Sequence, residues 1–89
     1  MAKLLITYDL KPDNQYPRLW AALRAMGGCQ PLLTAWVVDV QITASQMRDH
    51  LKKFIDEDDR LLVVSLAGGW ASLGLTKDEA GCLRRHVSG

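Results

Sequence analysis

The sequence predicts an α+β domain of the ferredoxin-like kind, a split βαββαβ sheet with a short extra C-terminal strand. Three observations lead there. Apolar runs of strand character alternate with amphipathic stretches of helical spacing, in the order strand, helix, strand, strand, helix, strand. Right-handed crossovers turn that order into one sheet with both helices on one side and the second and fourth strands outermost. A chain of 89 residues has room for one core only. Residues 1–75 are expected to form the domain and residues 76–89 a C-terminal tail.

Residues 3–9 read as the first strand, with Leu4, Ile6 and Tyr8 on one face and Lys3, Leu5, Thr7 and Asp9 on the other. Pro12, Asp13 and Asn14 end it, and Asp13 or Asn14 suits a helix cap. In the first helix Tyr16, Leu19, Trp20, Leu23 and Met26 recur at helical spacing, and Gly27-Gly28 stops it. Residues 29–40 form two short strands or one bent strand. Pro31 cannot donate to a ladder and places the first half at an edge.

Thr43 and Gln46 stand in capping-box register before a second helix, whose inner stripe is Met47, Leu51, Phe54 and Ile55. On its wet side Asp49 is spaced to pair with Lys53. Asp56-Glu57-Asp58-Asp59 reads as a solvated loop. Arg60 to Leu66 reads as a buried strand. Gly68-Gly69 marks a bend, and Trp70 to Leu75 a further short strand. Thr76 and Glu79 repeat the capping-box spacing, although Gly81 weakens a helix there.

An apolar fraction of 48% excludes a disordered chain, and a net charge of +1 excludes a strong overall pull on polyanions. Cys29 and Cys82 match neither a disulfide framework nor a CxxC motif, so they read as reduced thiols in a cytoplasmic protein. The N-terminal apolar run is too short for a signal peptide. No run approaches the roughly 18 residues of a membrane span.

The central strands are apolar on both faces: Leu5 as well as Leu4 and Ile6, Val37 as well as Trp36 and Val38, Leu62 and Val64 as well as Leu61 and Val63. Two helices cover one face. The other would exceed the apolar patch that a monomer usually leaves wet, so a homodimer packed through the open sheet face is expected, with two-fold symmetry.

Several pieces together resemble the small CRISPR-associated Cas-two-like family, in particular its SinR-like stand-alone subgroup. They are Ile6-Thr7-Tyr8-Asp9-Leu10, Tyr16-Pro17-Arg18-Leu19, Ala35-Trp36-Val37-Val38-Asp39, Asp59-Arg60-Leu61-Leu62-Val63-Val64 and the stretch from Leu66 to Leu75. The resemblance spans roughly residues 3–75. It implies a ferredoxin-like homodimer whose last strand pairs with the partner's sheet. It also implies nucleic acid, DNA or RNA, and an integrase-type protein as partners.

In that family the acid after the first strand binds a divalent metal at the dimer axis. Some members are metal-dependent nucleases and others are scaffolds that hold duplex DNA. Only Asp9 carries over, as catalytic and metal-binding residue in both chains, with Mg²⁺ or Mn²⁺ as the ion. Where relatives carry many basic residues in the first helix and a long basic extension, this chain has Arg18 and Arg24, then Arg84, Arg85 and His86.

One carboxylate makes a poor Mg²⁺ site, since the ion takes one or two carboxylates with waters and phosphate. A two-fold axis beside Asp9 would supply the second and allow water activation at a phosphodiester. His50 and His86 read as surface or boundary residues, and Asp39 as a turn residue. Thr7, Ser65 and Ser72 have no base nearby in sequence. Trp20, Trp36 and Trp70 read as core or dimer packing. Arg18, Arg24, Arg84 and Arg85 are the candidate phosphate contacts. Two function classes follow: a non-catalytic homodimeric module that binds nucleic acid or protein, placed first, and a metal-dependent RNA or DNA endonuclease using paired Asp9.

Overall fold

A computed structural model describes residues 2–10, 16–67 and 69–86. Strand β1 spans Ala2–Asp9, helix α1 Tyr16–Ala25, β2 Cys29–Leu32, β3 Ala35–Val40, α2 Ala44–Leu51, β4 Arg60–Ser65 and α3 Lys77–His86. A 3-10 turn, Lys52–Phe54, prolongs α2. The turn and cap expected at Pro12, Asp13 and Asn14, the side chain of Tyr16, and Gly68 lie outside the described residues.

The four strands form one sheet in the order β2-β3-β1-β4, with every neighbouring pair antiparallel. That order is compatible with a ferredoxin-like fold and puts β2 and β4 at the edges, as expected. Pro31 sits in edge strand β2, where the register with β3 shifts between Cys29 and Leu32. A strand that cannot donate at one position tolerates such an irregularity only at an edge. The β2–β3 turn is Leu33-Thr34. Among the described residues only glycines have positive φ, so this turn is not a primed type and needs no Asn-Gly.

Period-two alternation sorts β1 cleanly. Leu4, Ile6 and Tyr8 are buried beneath the helices, packed with Leu19 and Leu23 of α1, Trp36 and Val38 of β3, and Met47 and Leu51 of α2. Helix α1 ends in a Schellman arrangement, with Gly28 N donating to Leu23 O and Gly27 N to Arg24 O while Gly27 takes φ 75°. Gly28 is required for another reason. A Cβ there would lie 2.8 Å from the Leu23 carbonyl and 2.9 Å from the Trp36 ring, so α1 could not turn this closely onto β3. The α2 capping box forms as the sequence indicates, Gln46 N donating to Thr43 Oγ1 and Thr43 N to Gln46 Oε1.

Four expectations need correction. Strand β4 is an edge strand with half-buried and exposed residues alternating, rather than a buried one, because nothing flanks it beyond β1. No strand forms among the described residues of 69–75. Lys77–His86 is instead a helix, its start fixed by Glu79 N donating to Thr76 Oγ1 and Thr76 N to Glu79 Oε1. The cap and the acids of the first turn outweigh the roughly 1 kcal/mol that Gly81 costs. Asp49 pairs with its neighbour Arg48, at 3.1 Å, rather than with Lys53. Among the described residues no helix is long and apolar enough to cross a membrane.

Candidate functional site

The face of the sheet away from α1 and α2 carries the odd-numbered side chains of β1 and divides into two halves. Over β2 and β3 the segment 69–76 and helix α3 fold back across the strands. Leu5, Pro31, Val37, Trp70, Leu75 and Leu83 line a groove of about 420 Å³ there, and Val37 is only 2% exposed. Over β1 and β4 nothing described folds back. Leu62 is 56% and Val64 38% exposed, directly opposite Thr7 and Leu5 in the β1–β4 register. The second face is therefore partly covered by the chain's own C-terminal helix, which narrows the bare apolar area to the β4 side and to Leu32 and Leu73.

Asp9 ends β1 on this same open half. It is exposed, stands opposite Arg60 in the β1–β4 register, and borders an open depression formed with Thr7, Tyr8, Arg60, Leu61 and Leu62. Among the described residues no group of three histidines, cysteines or acids gathers around it.

The four candidate arginines lie on two helices, Arg18 and Arg24 on α1 and Arg84 and Arg85 on α3. Arg18 lies over the Phe54 ring, 5.9 Å from its centroid, and Arg24 over Trp20, 6.0 Å away. Arg84 and Arg85 are exposed near the end of α3. Trp36 is buried in the core and Trp20 packs against it, while Trp70 lines the groove on the other face. The Tyr8 hydroxyl ties two of them together, accepting from Trp20 Nε1 and from Trp36 Nε1 (3.1 Å) and donating to the Leu33 carbonyl (3.2 Å). One donor and two acceptor positions are the whole capacity of a phenol, so this hydroxyl is saturated.

Asp39 lies inside β3 and not in a turn. It faces Lys3 across the sheet, whose ammonium donates to Oδ2 at 2.7 Å. That hydrogen bond is the main reason its carboxyl titrates below the ordinary carboxylate range. Partial burial opposes the shift, while the charges of Lys3 and, more remotely, His86 add to it. The other oxygen, Oδ1, is buried without a hydrogen-bond partner among the described residues.

The cysteines overturn the reduced-thiol expectation. Cys29 at the start of β2 and Cys82 in α3 form a disulfide across a sequence separation of 53, with Cα atoms 5.9 Å apart. Spacing alone is silent about such a pair, because the fold and not the sequence interval sets the distance. His86 joins them. Its Nδ1 lies 2.9 Å from the Cys82 carbonyl and its Nε2 3.1 Å from the Gly27 carbonyl, which bridges α3 to the turn before β2. One donor atom from each of Cys29, Cys82 and His86 falls within 4.8 Å of the others. Sequence reasoning missed this cluster. Cys82 and His86 at i,i+4 on a capped helix are its one visible signal, which reading residues 76–89 as a tail hides. No family model and no solved structure matches the chain.

Proposed function

We propose that this chain is a homodimeric, ferredoxin-like scaffold that joins through the β1–β4 half of the open sheet face and holds nucleic acid without cutting it. The uncovered apolar stripe carries the reading: Leu62 and Val64 face solvent on the side of the sheet where β2 and β3 are already roofed by α3. Burying such a stripe against its two-fold copy is the simplest way to remove it from water. The resemblance of residues 3–75 to the Cas-two-like family supports the nucleic-acid part. That Asp9 joins no cluster of metal-ligating side chains among the described residues favours the scaffold over the endonuclease, which requires the partner's Asp9 to complete an Mg²⁺ or Mn²⁺ site.

Fluorescence anisotropy with single- and double-stranded oligonucleotides, over a salt series and with either cation present, tests it. The expected result is binding that weakens with salt, by a logarithmic slope of roughly 0.9 per phosphate neutralised on duplex DNA, with the oligonucleotide intact. Cleavage that disappears in Asp9→Ala would replace the scaffold with the nuclease. No binding at low salt would leave the dimer without a nucleic-acid role.

A further inference from the structure

Helix α3 is attached to the sheet in an unusual way. None of its residues is fully buried, so the hydrophobic contact that fixes α1 and α2 is weak here. The attachment at its C-terminal end is chemical: the Cys29–Cys82 crosslink, with His86 reaching over to Gly27. In a reducing environment the crosslink opens, and the same three side chains are left as a set of soft donors at one place.

We propose that, when reduced, Cys29, Cys82 and His86 form a binding site for a thiolate-preferring divalent cation of the Zn²⁺ class, which takes over from the disulfide in holding α3 to β2. Both sulfurs and an imidazole nitrogen already lie within 4.8 Å of one another, although Cys29 and Cys82 are 53 residues apart in sequence. Two thiolates and an imidazole are a preferred donor set for Zn²⁺, with bonds of about 2.3 Å to sulfur and 2.0–2.1 Å to nitrogen. Cys82 and His86 lie on one side of α3 at i,i+4, so a single helix presents two ligands together.

The imidazole is also oriented for the task. Both ring nitrogens face carbonyl oxygens, and in its neutral form the ring has one N–H, so one nitrogen turns a lone pair toward an acceptor. A metal relieves that mismatch. The other nitrogen keeps its carbonyl, the usual orienting contact of a metal-bound histidine. A fourth position remains for water or an outside ligand.

The switch between the two forms balances. A small-molecule thiol reductant contributes two electrons and two protons: the Cys29–Cys82 bond breaks, the reductant's own disulfide forms, and each protein sulfur becomes a thiol. The cation then displaces the two thiol protons to solvent. A small-molecule disulfide runs the exchange in reverse: it takes up two electrons and two protons to become thiols, the Cys29–Cys82 bond re-forms, and the cation loses both sulfur ligands.

The test uses the full chain with Co²⁺ as a spectroscopic probe and Zn²⁺ as its competitor, before and after reduction with a phosphine. The reduced protein is expected to bind one Co²⁺ with thiolate charge-transfer absorption, to release it to Zn²⁺, and to bind none when oxidised. His86→Ala keeps both sulfurs, and its oxidised form reports whether the variant folds. It should weaken the affinity about tenfold or more, and Cys82→Ser should abolish the charge-transfer band. No charge-transfer band in the reduced wild type would overturn the proposal. So would a His86→Ala protein of unchanged affinity and spectrum, which would reduce the site to two adjacent thiols.

Discussion

The two faces of the sheet are built on different principles. Under α1 and α2 the sheet meets a continuous apolar core in which Leu4, Ile6, Leu19, Leu23, Val38, Met47 and Leu51 are fully buried. Its polar atoms are confined to the saturated hydroxyl of Tyr8 and the indoles that bond to it. On the opposite face the strands are nearly as apolar, yet the covering is the segment 69–76 with one short helix held by a crosslink over β2 and β3, and none of the described residues covers β4. Packing secures the first face by area, so any part of it is costly to remove. The second is secured at a point, and half of it is left open.

Substitution separates the two most sharply. Leu23→Ala on the helix face should cost about 2–5 kcal/mol, whereas Leu62→Ala on the open face should change the stability of the isolated chain by less than about 0.5 kcal/mol. Urea denaturation of both variants at low protein concentration checks this, and equal losses would erase the distinction. Reducing the disulfide comes next. Opening a crosslink that spans 53 residues should lower stability by about 2–4 kcal/mol. Hydrogen exchange should show the loss first in α3 and β2 while the amides of α1 and α2 stay protected.

Tyr8→Phe should cost about 1–3 kcal/mol, because it strands two indole donors and the Leu33 carbonyl while keeping the ring's volume. A thermal melt against wild type reads it. The smallest effect is the pH dependence carried by Lys3–Asp39. The folded-state pKa of Asp39 is depressed, so its contribution is present above the unfolded carboxylate pKa and is lost as pH falls through the lower folded value. Removing the carboxylate with Asp39→Asn should flatten acid unfolding slightly in that window, and salt should do the same to wild type because the pair is partly exposed.

The first face was legible in the sequence almost residue by residue. Alternation in β1, the stripe of α1 and the Thr43–Gln46 box are local signals, and each reported its own environment correctly. The edge positions of β2 and β4 were legible too, from element order and Pro31. The second face was not, because its covering depends on contacts between distant parts of the chain. That Lys77–His86 would be a helix was written in Thr76 and Glu79 but masked by Gly81. That this helix would bring Cys82 to Cys29 could not be seen from an interval of 53 residues. Asp39 looked like a turn residue because nothing near it in sequence reveals Lys3 opposite. Asp9 was placed correctly on the open face, but whether a second carboxylate meets it depends on a second chain.

The central claim, that the β1–β4 half of the open face is an interface between copies, is tested most directly by sedimentation equilibrium of the full chain at micromolar concentration beside Leu62→Glu. The account predicts a dimer for the wild type and a folded monomer for the variant. A wild type that sediments as a monomer, or a variant that stays dimeric, would contradict it.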